Sequence, residues 1–211
     1  MNKYVVFDFD GTLVDSKAVF MTAFNYLADK YRFKRIDPDN IDYLKQLSTL
    51  ERIRVLKVPF YKIPVLTSEF IQLYKQSLHH IVLVEGIADV LQQLNHNGFK
   101  TAIVSSNAVT SIQSFLQHNH ITGIADIYSS SRVFGKDKAI QKFLKKNKLR
   151  NTDVLYVGDE QRDIIACKRT GVRIIWVSWG FEIEEVVIGS APDFTARTPA
   201  DIIRIVSDNL I

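Results

Sequence analysis

A chain of 211 residues, 46% hydrophobic and 24% charged, has the makeup of one domain with a large insertion or of two small ones. No apolar run reaches membrane-spanning length, and residues 1–7 run straight into an acidic motif without the pattern of a signal peptide. A net charge of +4 without aromatic–basic interleaving speaks against nucleic acid as a partner, and the single Cys167 excludes an intramolecular disulfide and suits a reducing cytoplasm.

The first predicted element is a strand over 4–9 that ends in Asp8-Phe9-Asp10-Gly11-Thr12. Residues two apart on a strand point to the same side, so Asp8 and Asp10 face one small volume where the backbone begins to turn. Two such anions repel unless a cation or a proton lies between them. An ordinary Asp-Gly turn accounts for Asp10-Gly11 alone. The pattern points to bound Mg²⁺ with one Asp used as a nucleophile.

From residue 16 to 84 no parallel strand is predicted. Helical patterns cover 17–32, 38–56 and 67–80, and a Pro-containing connector, 58–64, separates the last two. A helical block placed directly after the first strand reads as a cap over the strand ends. Its many aromatics, Phe20, Phe24, Tyr31, Phe33, Tyr43, Phe60, Tyr61, Phe70 and Tyr74, are expected mostly in its own small core. Arg52, Arg54 and Lys57 are candidates for contacting an anionic leaving group, against a plain solvated helix face.

Beyond residue 84 strands and helices alternate. Helices are predicted near 86–97, 109–118, 137–148 and 162–169, and strands over 101–105, 126–129, 153–157 and 172–177, with a short sixth near 193–195. The strands are Val/Ile-rich without polar alternation, as in strands buried on both faces, and the alternation implies βαβ units. A last helix starts with Thr198 as cap, Pro199 in its first turn and Asp201 near its positive end. The fold class is α/β: a Rossmann-like doubly wound parallel sheet of order 3-2-1-4-5, with a core of 1–15 and 85–211 and an inserted α-helical cap of 16–84. Ligands of such sheets bind at the carboxyl ends of the strands.

Three further clusters of polar residues fall at predicted strand ends. Ser105, Ser106 and Asn107 follow the second strand, where a hydroxyl and the N–H groups opening a helix make a phosphate site, or merely a cap. Lys136, just before the helix at 137–148, can neutralise a carboxylate and a phosphate, with Lys138 as its competitor. Asp159 and Asp163 stand four apart after the strand at 153–157, where they share one face once a helix begins and suit Mg²⁺. Glu160 beside them is either an outer ligand or exposed. The five His residues lack the company of a metal site, and Cys167 reads as a small buried hydrophobe.

Asp8-Phe9-Asp10-Gly11-Thr12-Leu13-Val14-Asp15-Ser16, then Ser105, Lys136, and Gly158-Asp159 with Asp163, follow one another in the order of a known series of motifs. In this the chain resembles the haloacid-dehalogenase-like hydrolases, in their phosphoglycolate-phosphatase-like branch with a helical cap. The resemblance implies that Asp8 is the nucleophile that forms an aspartyl-phosphate, and that Asp10 is the general acid and then the base. It implies Mg²⁺ held by Asp8, the Asp10 backbone carbonyl and Asp159, with Asp163 in support, and a phosphoryl group held by Ser105 and Lys136. The expected activity is Mg²⁺-dependent hydrolysis of a small phosphorylated metabolite, phosphoglycolate the named guess. A phosphomutase on the same scaffold is the alternative; a haloacid dehalogenase and a non-catalytic phosphate-binding module rank lower. The expected state is a cytoplasmic monomer or homodimer with no membrane or nucleic-acid partner.

Overall fold

The computed structural model describes residues 3–130 and 135–210. These divide into two compact units: the chain up to Asp15 joined to the chain from Leu83 onward, and the intervening Ser16–Val82.

In the first unit the described residues build a six-stranded sheet from β1 (Tyr4–Phe7), β2 (Lys100–Ser105), β3 (Ile124–Ser129), β4 (Val154–Gly158), β5 (Arg173–Val177) and β6 (Phe194–Ala196). The strands are parallel and lie in the order β3-β2-β1-β4-β5-β6, the expected 3-2-1-4-5 with a further strand at one edge. The apolar runs without alternation have a direct cause in packing. Val6, Val104, Tyr156 and Ile174 pack on one face against Phe143, Ile164 and Cys167, while the alternate residues Val5, Phe7, Ile103 and Val157 are equally buried. Helices that connect or follow these strands are Ile87–His96, Val109–His118, Lys136–Asn147, Gln161–Thr170 and Pro199–Asn209, with a short, unexpected turn of helix at Glu184–Val187. The last of the five begins with a capping box of Thr198 and Asp201 and carries Pro199 in its first turn, as its sequence indicates.

Register fixes where the polar strand ends meet. Phe7 lies opposite Ile103 on one side and Val157 on the other, so the residues that follow all three emerge at one edge of the sheet. The Asp8 N–H continues the ladder by donating to the Val157 carbonyl at 2.8 Å.

The second unit is helical: Lys17–Tyr31, Ile41–Lys45, Thr49–Val55 and Ile63–Gln76. Two boundaries differ from expectation. The single helix foreseen over 38–56 is two, because Ser48 and Glu51 form a capping box that starts a new one. The connector ends earlier than foreseen, since Pro64 sits in the first turn of a helix that begins at Ile63, where a missing N–H costs no hydrogen bond. Leu27, Leu44, Leu56 and Leu66 make the core of this unit with Phe24, Tyr31, Phe33 and Phe70 against them. Tyr43, Phe60 and Tyr61 do not belong to it: they are 54%, 52% and 82% exposed. No helix among the described residues is long and apolar enough to cross a membrane.

Candidate active site

The site grows from the end of β1. Asp8 is buried, its Oδ1 accepting from the Phe9 N–H at 2.7 Å and its Oδ2 from Lys136 Nζ at 2.5 Å. Lys136, foreseen just ahead of its helix, is the first helical residue and is buried, and its ammonium also donates to Asp163. Burial alone would weaken its charge, but the carboxylates of Asp163 and Asp8 outweigh that and raise its pKa. Lys138 is exposed, which leaves Lys136 as the lysine at the acids.

Asp159 follows β4 and is wholly buried. Its Oδ1 accepts from Thr12 Oγ1 at 3.1 Å and its Oδ2 from the Phe181 N–H at 2.7 Å. Two backbone turns close on it so tightly that a Cβ at Gly11 would stand 2.3 Å from Oδ2 and one at Gly180 2.1 Å from the Asp159 Cβ. Gly11 also has φ of +72°, which favours glycine. The loop at 179–182 contributes further: Trp179 Nε1 donates to the Thr12 carbonyl at 3.1 Å, and the buried Glu182 accepts from the Gln161 N–H at 2.5 Å. In the sequence, Gly180 between two aromatics is the signal for the close approach of this loop.

Asp163 is wholly buried in the first turn of its helix, bonded to Lys136 and accepting from the Glu160 N–H at 3.2 Å. Glu160 is 8% exposed, so the exposed alternative is wrong. It caps the helix with Asp163 and takes a hydrogen bond from Arg162 Nε at 2.5 Å. Burial opposes the Arg162 charge, but Glu160, Asp163 and Asp8 prevail and raise its pKa. Neither Arg162 nor Thr12 was singled out as a polar site residue from sequence.

Asp8, Asp159, Glu160 and Asp163 each offer a carboxylate oxygen, all lying within 4.8 Å of one another. Burial lifts Asp159 well above the usual carboxylate range, helped by Glu160, Asp163 and Asp8. Burial also lifts Asp163, to about 6, with Lys136 opposing. Buried oxygens with an excess of negative charge are the donor set of a hard divalent cation, so these residues fit Mg²⁺. Among the described residues this is the one such grouping, and it contains no His.

The Asp10 carboxylate is not in that grouping. Half-buried, it accepts from Asn107 Nδ2 at 3.3 Å. The two acids of the first motif therefore have separate partners, Lys136 for Asp8 and Asn107 for Asp10. Ser105 is buried at the end of β2 and its Oγ accepts from the Asn107 N–H at 3.2 Å, while Asn107 Oδ1 accepts from the Ala108 N–H at 2.8 Å. Two N–H groups expected to face a phosphate are thus turned onto side chains, and Ser106 between them is half-buried. In the helical unit, Arg52 Nε donates to the Leu44 carbonyl at 2.8 Å and so ties two helices of that unit, while Arg54 and Lys57 are exposed.

Comparison with known proteins places the chain in a family. The family model described as haloacid dehalogenase-like hydrolase matches residues 5–177. A phosphoglycolate phosphatase of Synechococcus elongatus is 28% identical over 204 residues, spanning 96% of each chain. A pyrophosphatase PpaX of Bacillus pumilus is 25% identical, over 96% of this chain and 95% of its own. Among solved structures, a predicted phosphatase from Clostridium acetobutylicum superposes with a TM-score of 0.84 at 18% identity over 99% of each chain. A haloacid dehalogenase-like family hydrolase from Streptococcus pneumoniae does so at 0.81 and 22%, over 96% of this chain and 97% of that one. At these identities the structural likeness speaks for the fold.

Proposed function

The chain belongs to the haloacid dehalogenase-like hydrolases, and we propose that it is a Mg²⁺-dependent phosphatase that hydrolyses a small phosphate monoester through an aspartyl-phosphate on Asp8. The observation that carries this reading is the division of labour at the end of β1: Asp8 is held by Lys136 within the buried acids, while Asp10 stands outside them on Asn107.

Asp8 attacks the phosphorus, forming an Oδ–P bond as the P–O bond to the leaving group breaks, and Asp10 gives its proton to the departing oxygen. Asp10 then takes a proton from water, whose oxygen bonds to phosphorus as the Oδ–P bond breaks, which frees Asp8 and releases inorganic phosphate. Lys136 neutralises Asp8 and the transferring group, and the Ser105 hydroxyl, with Ser106 and Asn107 beside it, holds the phosphoryl oxygens. Asp8 and Asp159, with the Asp10 carbonyl and with Asp163 in support, would hold the Mg²⁺, which would supply positive charge to offset that of the phosphoryl group. The Thr12 hydroxyl and the Phe181 N–H keep the Asp159 carboxylate fixed for that task, and Trp179 holds Thr12 by its backbone carbonyl.

The names of the relatives guide the choice of substrate: phosphoglycolate first, inorganic pyrophosphate next. The helical unit is proposed as the cap that selects the leaving group, with Arg54 and Lys57 as its candidate contacts; Arg52 is engaged within its own unit. The setting proposed is cytoplasmic, with a phosphorylated metabolite as partner. The test is phosphate release from a panel of esters and pyrophosphate, in Mg²⁺ and in EDTA, by wild type and Asp8→Asn. Release that needs Mg²⁺ and vanishes in Asp8→Asn supports the reading. Phosphoryl transfer to a sugar phosphate without release would replace it by a mutase.

A further inference from the structure

Glu160 is the surplus acid of the site. It is 8% exposed and offers an oxygen within 4.8 Å of those of Asp8, Asp159 and Asp163. A fourth buried carboxylate at that distance would join the bound cation or draw in a second one. Its Oε2 is instead taken by Arg162, through Nε at 2.5 Å and also through Nη2. Two residues apart in a helix would face different ways, but Glu160 is extended (φ −112°, ψ 153°) and only then does the helix begin, so the two side chains meet. With Lys136 on Asp8 and Asp163, four carboxylates face two fixed cations. The remaining excess of negative charge matches one divalent ion.

We propose that Arg162 is a positioning residue that withholds Glu160 from the cation, so that the site binds one divalent ion through the other acids. The inference rests on the proposed function in one respect, that the cluster holds a divalent cation. It extends that reading to a residue that need not touch substrate at all.

The experiment is calorimetric titration of the full chain with Mn²⁺ alone, comparing wild type, Arg162→Gln and the double variant Glu160→Gln/Arg162→Gln, each checked for folding by circular dichroism. Wild type is expected to bind one ion. Arg162→Gln is expected to bind Mn²⁺ about tenfold more tightly, because a cation is lost and a carboxylate set free. A merely structural defect would not strengthen binding. The double variant, which removes both charges of the pair, is expected within about fivefold of wild type. Equal or weaker binding by Arg162→Gln overturns the proposal. So does a double variant weakened beyond about fivefold, since Glu160 would then itself be a ligand in the wild type. If Arg162→Gln does not fold, the double variant decides alone by that criterion. Absence of Mn²⁺ binding in wild type would sink the proposed function and this inference with it, whereas one-ion binding unaltered by Arg162→Gln sinks only the inference.

Discussion

The two units share exposed ion pairs, such as Arg197–Glu184 in the α/β unit, but differ in a buried cluster of them. In the α/β unit, Lys136 meets Asp8 and Asp163 with all three side chains at most 3% exposed. In the helical unit, Lys30 meets Glu69 and Arg35 meets Asp29 with side chains 28% to 58% exposed. Water screens the second set, so each pair contributes little, and the unit is held by its leucines and aromatics. The first set sits where desolvation is costly, and breaking it leaves charges with no compensation. Stability and proposed chemistry are therefore bound together at the strand ends of one unit and independent in the other.

The contrast is broken most severely at Lys136. Lys136→Met should destabilise the protein by about 3–5 kcal/mol, since Asp8 and Asp163 lose their shared cation, and should abolish turnover. Urea unfolding would measure it, and a loss below about 1 kcal/mol would mean that the acids find other relief. Asp159→Asn should act in the opposite direction: without added metal it should raise stability by about 1 kcal/mol, because burial and three neighbouring acids oppose the Asp159 charge, while activity falls. Thermal melts with and without Mg²⁺ would show both effects, the stabilisation by metal shrinking in the variant.

A smaller effect lies away from the site. Hydrogen bonds from Arg204 and from the Thr198 and Arg197 N–H groups lower the Asp201 carboxyl to about 2. A lowered folded-state value means that its contribution is complete above the unfolded value near 4 and is lost as pH falls through 2. Asp201→Asn should cost about 1 kcal/mol at pH 7 and remove that part of the acid dependence, as read by unfolding at pH 7, 4 and 2. Smallest of all, Arg35→Ala should change stability by less than about 0.5 kcal/mol, and a larger loss would blur the distinction between the two units.

The sheet and the acids were legible for related reasons. Strands buried on both faces need unbroken Val/Ile runs, and carboxylates that end such runs are too costly to be incidental. The helix break at Ser48 was also written in the sequence, as Ser48-Thr49-Leu50-Glu51, but the hydrophobic pattern runs through it and hides the cap. Most aromatics of the helical block do lie in or against its core, as expected; which of them stay exposed, Tyr43, Phe60 and Tyr61, could not be told, because an aromatic in a helical block gives no sign of which face it takes. Glu160 was marked only as an outer ligand or an exposed residue, and its pairing with Arg162 could not be read at all. Their meeting depends on the backbone being extended at Glu160 before the helix starts, a detail of φ and ψ that spacing alone does not carry. The turn of the Asn107 and Ala108 N–H groups onto side chains is of the same kind.

The most direct test of the proposed site is to look for phosphate on Asp8 itself. With an ester whose leaving group needs no proton, Asp10→Asn should still be phosphorylated but lack the base for hydrolysis. Acid quench within the first turnover, followed by peptide mass spectrometry, should find one phosphoryl group on the peptide carrying Asp8. Asp8→Asn should carry none. Phosphate release without any covalent species, or with the label on Ser105 instead, would contradict a nucleophilic Asp8.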